Sequence, residues 1–249
     1  VETGPEWESQ AESGAESGWL GQLQLGYRQR GDHTVLMHRR HRGPLLVQRS
    51  FYPEGPVCHN YIIHPPGGLA GGDRLRLDVD VAEGGHALLT TPAASKFYRT
   101  TGPVAVQEQA FRVGAGAALE VLPMETILHR ESDTLLRNCF ELAANARLCV
   151  WDIVCLGRPG SGDHFAGGRC RQDLVIERAG TTVLHERLSL ADGDPLLTQP
   201  WGIAGYPALG ALVATPAPEG MEEQLREALG DPDHLRVGTT RIGDILIVR

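Results

Sequence analysis

The stretch from Cys58 to Val81, CHNYIIHPPGGLAGGDRLRLDVDV, limits what this chain can fold into more than any other. Proline fixes φ and glycine opens φ > 0, so Pro65-Pro66-Gly67-Gly68 sets a backbone shape before any side chain packs. Directly after it, Leu75, Leu77, Val79 and Val81 alternate with Arg74, Arg76, Asp78 and Asp80. A period of two puts the apolar set on one face of a half-buried β-strand. The loop therefore feeds a sheet.

The segment 82–92, AEGGHALLTTP, aligns without gaps on 113–123, VGAGAALEVLP, matching Gly85 to Gly116, Ala87 to Ala118, Leu88 to Leu119 and Pro92 to Pro123. Fainter echoes stand at 145–148 and 180–184. Each unit reads as a turn followed by a strand. Recurrence near 30 residues is what stacked β coils give, because one coil cannot bury its own apolar face. Strands are expected around 23–27, 35–37, 45–47, 104–113, 126–128, 135–142, 148–156, 174–177, 183–190 and 245–249, with a turn at Gly31-Asp32. Only two stretches look helical. Residues 219–229 carry Met221, Leu225, Ala228 and Leu229 at helical spacing, closed by Gly230. Residues 203–213 are interrupted by Gly205, Pro207 and Gly210. The fold expected is mainly β, a β-helix-like, solenoid-like stack of many short strands with about two helices, as one domain over 19–249.

Five of the acidic residues behind the net charge of −8 sit in 1–18, which has no Lys or Arg. That Ser/Gly-rich segment reads as a disordered acidic tail. The remainder is close to balanced, which argues against a nucleic-acid binder. The basic run Arg39-Arg40-His41-Arg42 reads as a solvated loop. Five cysteines without C-x-x-C spacing give neither a disulfide framework nor a zinc module. With no basic n-region, no apolar h-region and no apolar run near 18 residues, a soluble, cytoplasmic protein without membrane contact is expected. The chain stops on the apolar run 245–249, so a C-terminal segment is expected to follow.

Four features could carry chemistry. The glycine loop lacks the Gly-Lys-Ser/Thr closure of a phosphate cradle and opens a strand instead of a helix, so it reads as a shaped turn. Cys58, His59 and His64 are borderline-soft ligand types suited to nickel, zinc or copper, yet an extended 59–64 sends the two imidazoles to opposite faces. Carboxylates flanked by apolar strand residues form a third set: Glu125 in LPMETIL, Asp152 in CVWDIVC and Glu186 in VLHERL. Such a group must be paired, line a wet cavity or carry a raised pKa. Lining a watery passage, these oxygens would hold a divalent cation loosely. The fourth is 90–99, TTPAASKFYR, where Ser95 and Lys96 are adjacent rather than on one helix face, which is poor geometry for a serine hydrolase. The turn-rich 157–163, GRPGSGD, has no catalytic spacing.

Together GPLLVQRSFYPEG (43–55), CHNYIIHPPGGLAGGDRL (58–75), LLTTPAASKFYR (88–99), LEVLPMETIL (119–128), WDIVCLGRPGSGDHF (151–165) and HERLSL (185–190) resemble the urease accessory protein UreD family, also called UreH. The resemblance covers most of 20–200. It implies a β-helix-like fold and a non-enzymatic scaffold chaperone that binds apo-urease and joins the UreF and UreG accessory proteins, with two copies expected in the assembled complex. It also implies that nickel, carried transiently and with no permanent cofactor, passes through the interior. On matching positions the passage residues are Asp73, Ser95, Asp152 and Glu186, with Cys58, His59 and His64 as secondary candidates. A reading from another class is a metal-dependent hydrolase using Asp73, Asp152 and His64, which needs three ligands around an open coordination position. A scaffold with no metal path is the third.

Overall fold

The computed structural model describes residues 18–230 and 235–249. The expected acidic tail lies outside the described residues apart from Gly18. Strands β1 (Leu20–Arg30) and β2 (His33–Arg42) form an antiparallel hairpin across the expected turn at Gly31-Asp32. The basic run expected in a loop is instead the exposed end of β2, since pairing with β1 carries the strand through Arg42. After β3 (Leu46–Val47) and β4 (Cys58–Ile63) the chain winds in repeating coils. One coil is β5 (Arg74–Val81), β6 (His86–Thr90) and β7 (Ser95–Phe97). The next is β8 (Ala105–Val113), β9 (Ala118–Val121) and β10 (Thr126–Leu128). Then come β11 (Asp133–Leu142), a long β12 (Arg147–Arg158) and the short β13 (Asp163–His164).

Strands β1, β5, β8, β11 and β14 (Arg169–Arg178) stack in parallel as one wall, edged by β2 and by the antiparallel β15 (Thr181–Ala191). The second wall stacks β4, β6, β9 and the first part of β12. The third stacks β7, β10 and the last part of β12. The result is a β-solenoid of about 4 turns. Helix α1 (Pro195–Thr198), β16 (Ala208–Thr215), α2 (Met221–Leu229), β17 (Thr239–Ile242) and β18 (Ile245–Val248) follow, and β16 covers the free edge of β12. Residues 208–213, part of the interrupted helical stretch, are strand in β16, because its glycines and proline disfavour helix and the β12 edge offers hydrogen bonds. Among the described residues no helix is long and apolar enough to cross a membrane.

Parallel stacking aligns inward residues into columns. Leu25, Val79, Phe111, Phe140 and Ile176 occupy one level of the first wall, all at most 2% exposed. Within it the Phe111 and Phe140 rings stack at 4.7 Å between centroids, 7° from parallel. The internal repeat is real but its register differs by one residue from the gapless alignment. His86 pairs with Ala118, which sets Ala87 rather than Leu88 beside Leu119 and, one coil on, Leu148. A slip of one reverses the face of every side chain, and Ala87 and Leu119 are the fully buried pair. The echo at 180–184 is no coil, since the chain turns back there into β15.

The proline–glycine loop supplies the third wall of its coil. Gly67 N–H donates to the His64 carbonyl at 2.9 Å with φ of 78°, closing the turn. Leu69 then bridges Phe97 in parallel: its N–H donates to the Lys96 carbonyl and its carbonyl accepts from Tyr98 N–H, both at 2.8 Å. A Cβ on Gly68 would run into the Tyr98 ring.

Phe140→Ala deletes one ring of the Phe111–Phe140 stack. By urea denaturation it is expected to lower stability by about 3–5 kcal/mol.

Candidate functional site

Inside the coils the columns are not apolar throughout. Two levels below Phe111 and Phe140, the inward positions read Leu75, Gln107, Leu136, Gln172 and Leu77, Gln109, Asn138, Leu174 across β5, β8, β11 and β14. Amides in a solenoid interior need partners or water. Most of them border a partly open cavity of about 330 Å³ between the walls. Gln107, Gln109 and Asn138 line one side, with Ser95 of β7 and Asp152 of β12 opposite and His64 at the head of the glycine loop.

Asp152 is the chemical centre of this space. Its Oδ2 accepts from Gln172 Nε2 at 2.6 Å and from Asn138 Nδ2 at 3.2 Å. Burial pushes its pKa up to about 6, against the pull of those two donors toward the ionised form. Gln172 and Asn138 were not singled out from the sequence. A signal existed: Asn138 interrupts the apolar alternation of Leu136, Phe140 and Leu142. Below Asp152 lies Cys170, 2% exposed, its thiol pushed up to about 12 by burial and by the nearby Asp152 charge. It stays protonated and is a poor metal ligand.

The remaining sequence-selected residues divide. Ser95 lines the cavity, and its N–H donates to the Glu125 carbonyl at 3.0 Å. The Glu125 carboxylate is not among the lining groups. His64 lines the cavity too and packs its ring against Trp19, with centroids 5.1 Å apart and the planes tilted by 34°. Its pKa is lowered by burial, with Asp73 pulling the other way, and its Nε2 has no hydrogen-bond partner. Asp73, 7% exposed, lies outside the lining and holds the loop: Oδ1 accepts from Trp19 N–H at 3.2 Å and Oδ2 from Ala70 N–H at 2.8 Å. Glu186 shares the inward face of β15 and forms an ion pair with Arg249. Cys58 is fully buried beneath Tyr27 and Asn60, its thiol 3.6 Å from Asn60 Oδ1. His59 lies on the other face of β4, with Nε2 3.8 Å from a Glu54 carboxylate oxygen.

Among the described residues no three His, Cys, Asp or Glu side chains gather where they could hold one metal ion. Asp73, with both oxygens taken by backbone N–H groups, does not converge with Asp152 and His64. The hydrolase reading is not favoured.

The fold and site together define a β-solenoid with a mainly apolar cavity into which a few polar groups project. The family model described as UreD urease accessory protein matches residues 20–249, and the chain belongs to that family. It is 54% identical over 230 residues to the urease accessory protein UreD of Alkalilimnicola ehrlichii, covering 92% of this chain and 78% of the relative. The protein of the same description from Pseudomonas entomophila is 44% identical over 238 residues, covering 94% and 83%. That from Citrobacter koseri is 43% identical over 235 residues, covering 93% and 79%.

The raised Asp152 pKa fixes a sign for stability. A carboxyl that binds its proton more tightly folded than unfolded stabilises fully below about pH 4, and that contribution is lost as pH rises through about 6. Asp152→Asn is therefore expected to match the parent chain near pH 4 and exceed it near pH 7.5 by up to about 3 kcal/mol, read from paired urea denaturations.

Proposed function

We propose that the protein is a non-catalytic scaffold of urease maturation that binds apo-urease, joins the UreF and UreG accessory proteins, and passes nickel through its interior. The observation that supports this best is the Asp152 carboxylate, held by Gln172 and Asn138 inside a cavity that also exposes Gln107, Gln109, Ser95 and His64. Oxygen donors of this kind bind a borderline cation weakly, and weak binding suits cargo that must leave again. A carboxyl with a pKa of about 6 is ionised at neutral pH but easily reprotonated, so it can exchange a proton for a cation.

Ser95, Asp152 and His64 would form the central part of the route, since they share the cavity. Glu186 would join it only when its pair with Arg249 opens. Asp73 would serve by shaping the loop beside His64, because its carboxylate is committed to backbone N–H groups. Cys58 and His59 would contribute to packing, one buried against Asn60 and the other beside Glu54.

Coexpression of urease and its accessory proteins with Asp152→Leu tests the reading. The complex is expected to assemble by pull-down while urease nickel content, and activity with it, falls by about tenfold or more. Normal nickel loading with an intact complex would sink the passage and leave a scaffold without a metal path.

A further inference from the structure

Most of the wall of the cavity around Asp152 is hydrocarbon. Leu75 and Leu77 of β5, Leu136 and Phe140 of β11 and Val150 of β12 line it. Trp151 borders it too, its indole N–H fixed by donation to the Pro123 carbonyl at 2.7 Å. The lining comes to the surface at Pro65, Pro92, Ala93 and Met124, so the space opens to solvent at the corner between the second and third walls. At about 330 Å³ it falls at the small end of the range for ligand pockets, roughly 300–1,000 Å³.

Into this space project acceptors that no protein group uses. Both hydrogen bonds to Asp152 end on Oδ2, which leaves Oδ1 without one among the described residues. The side-chain amides of Gln107 and Gln109 make no hydrogen bond there either. All three residues are half-buried and keep accessible surface, so a molecule entering at the corner can reach them. The carboxylate also lacks a counter-ion. Lys96, a cation in the lining, donates to the Ala94 carbonyl at 3.3 Å and pairs with no carboxylate among the described residues. Glu108 is taken up by Arg137.

These features together select a ligand chemistry. Water satisfies the oxygens but gains nothing from the leucine and phenylalanine surface. A metal ion likewise uses the oxygens and leaves the apolar wall unused. An organic ammonium uses both, since its N–H donors suit a carboxylate and amide oxygens while its hydrocarbon body displaces water from the wall. The faces of Phe140 and Trp151 add attraction for a cation.

We propose that this cavity is a binding site for a small primary organic ammonium, with the head on Asp152 Oδ1 and the amide oxygens of Gln107 and Gln109, and the body against Leu75, Leu77, Leu136 and Phe140. The site shares its carboxylate with the nickel route but does not rest on that route. Failure of an amine to bind would leave the outcome of Asp152→Leu coexpression unaltered.

The test is titration of the intact chain at pH 7.5 with hexylammonium, butylammonium and 1-hexanol, by calorimetry and by the side-chain amide resonances of Gln107, Gln109 and Asn138 in NMR. Saturable binding of hexylammonium that moves these resonances is expected. Butylammonium, two methylenes shorter, should bind about tenfold more weakly. Asp152→Asn should weaken hexylammonium by about tenfold or more and leave 1-hexanol unchanged. Arg42→Gln on the distant β2 should alter neither. Equal affinity for hexylammonium and 1-hexanol, or an amine affinity indifferent to Asp152→Asn, would reduce the effect to apolar partition and overturn the site. Absence of saturable amine binding would overturn it as well.

Discussion

Everything in this protein hangs on the in-register parallel ladder that joins each coil to the next. Pairing such as Leu77 with Gln109 and Gln109 with Asn138 forces equivalent positions of successive coils onto the same inward column. A column must then be apolar, or give each polar member a partner or open space, because a polar group sealed between the walls would go unsatisfied. The Leu25, Val79, Phe111, Phe140, Ile176 column takes the first solution; the columns through Gln107 and Gln109 mix leucines with amides and place Gln107 and Gln109 against the cavity.

The same constraint explains why Asp152 is tolerable. A carboxylate facing an apolar column would be driven fully neutral. Facing two amide donors across a cavity, it settles at an intermediate affinity for protons, with a pKa of about 6. Gln172, from the strand that ends the parallel stack, lends its amide to Asp152 in the opposite wall. The hydrogen bond ties the walls where the column is least apolar.

Turns between walls carry the other half of the design. At the first coil the chain must pass close against Tyr98 and still offer Leu69 to Phe97, which the glycine pair permits and a Cβ would block. At the third coil β12 runs on through both walls, its far end folding back so that Asp163 meets His129. Along this wall Ser95 borders the interior cavity, and Tyr98, three residues later, borders an open pocket at the far end.

Much was legible in the residues. The alternation at 75–81, the strand at 126–128, the recurring turn-and-strand unit and the helix near 219–229 all follow from local periodicity, which needs no knowledge of neighbours. The raised pKa of Asp152 was legible too, as a charge inside an apolar run. What periodicity could not supply was register: a one-residue error left the repeat visible while misplacing Leu88, and only the ladder settles which residue faces in. Nor could it show that Asp73 spends both oxygens on backbone N–H groups, that Gln172 reaches Asp152, or that His129 meets Asp163, a residue 34 positions away in the chain. Sequence by itself determined most of the strands, since alternation is a property of each segment's own pattern, but β16 and the end of β2 are strands only through the neighbours they pair with. Tertiary structure alone decided which polar groups meet, because those meetings depend on how many residues each coil takes to return to the same wall.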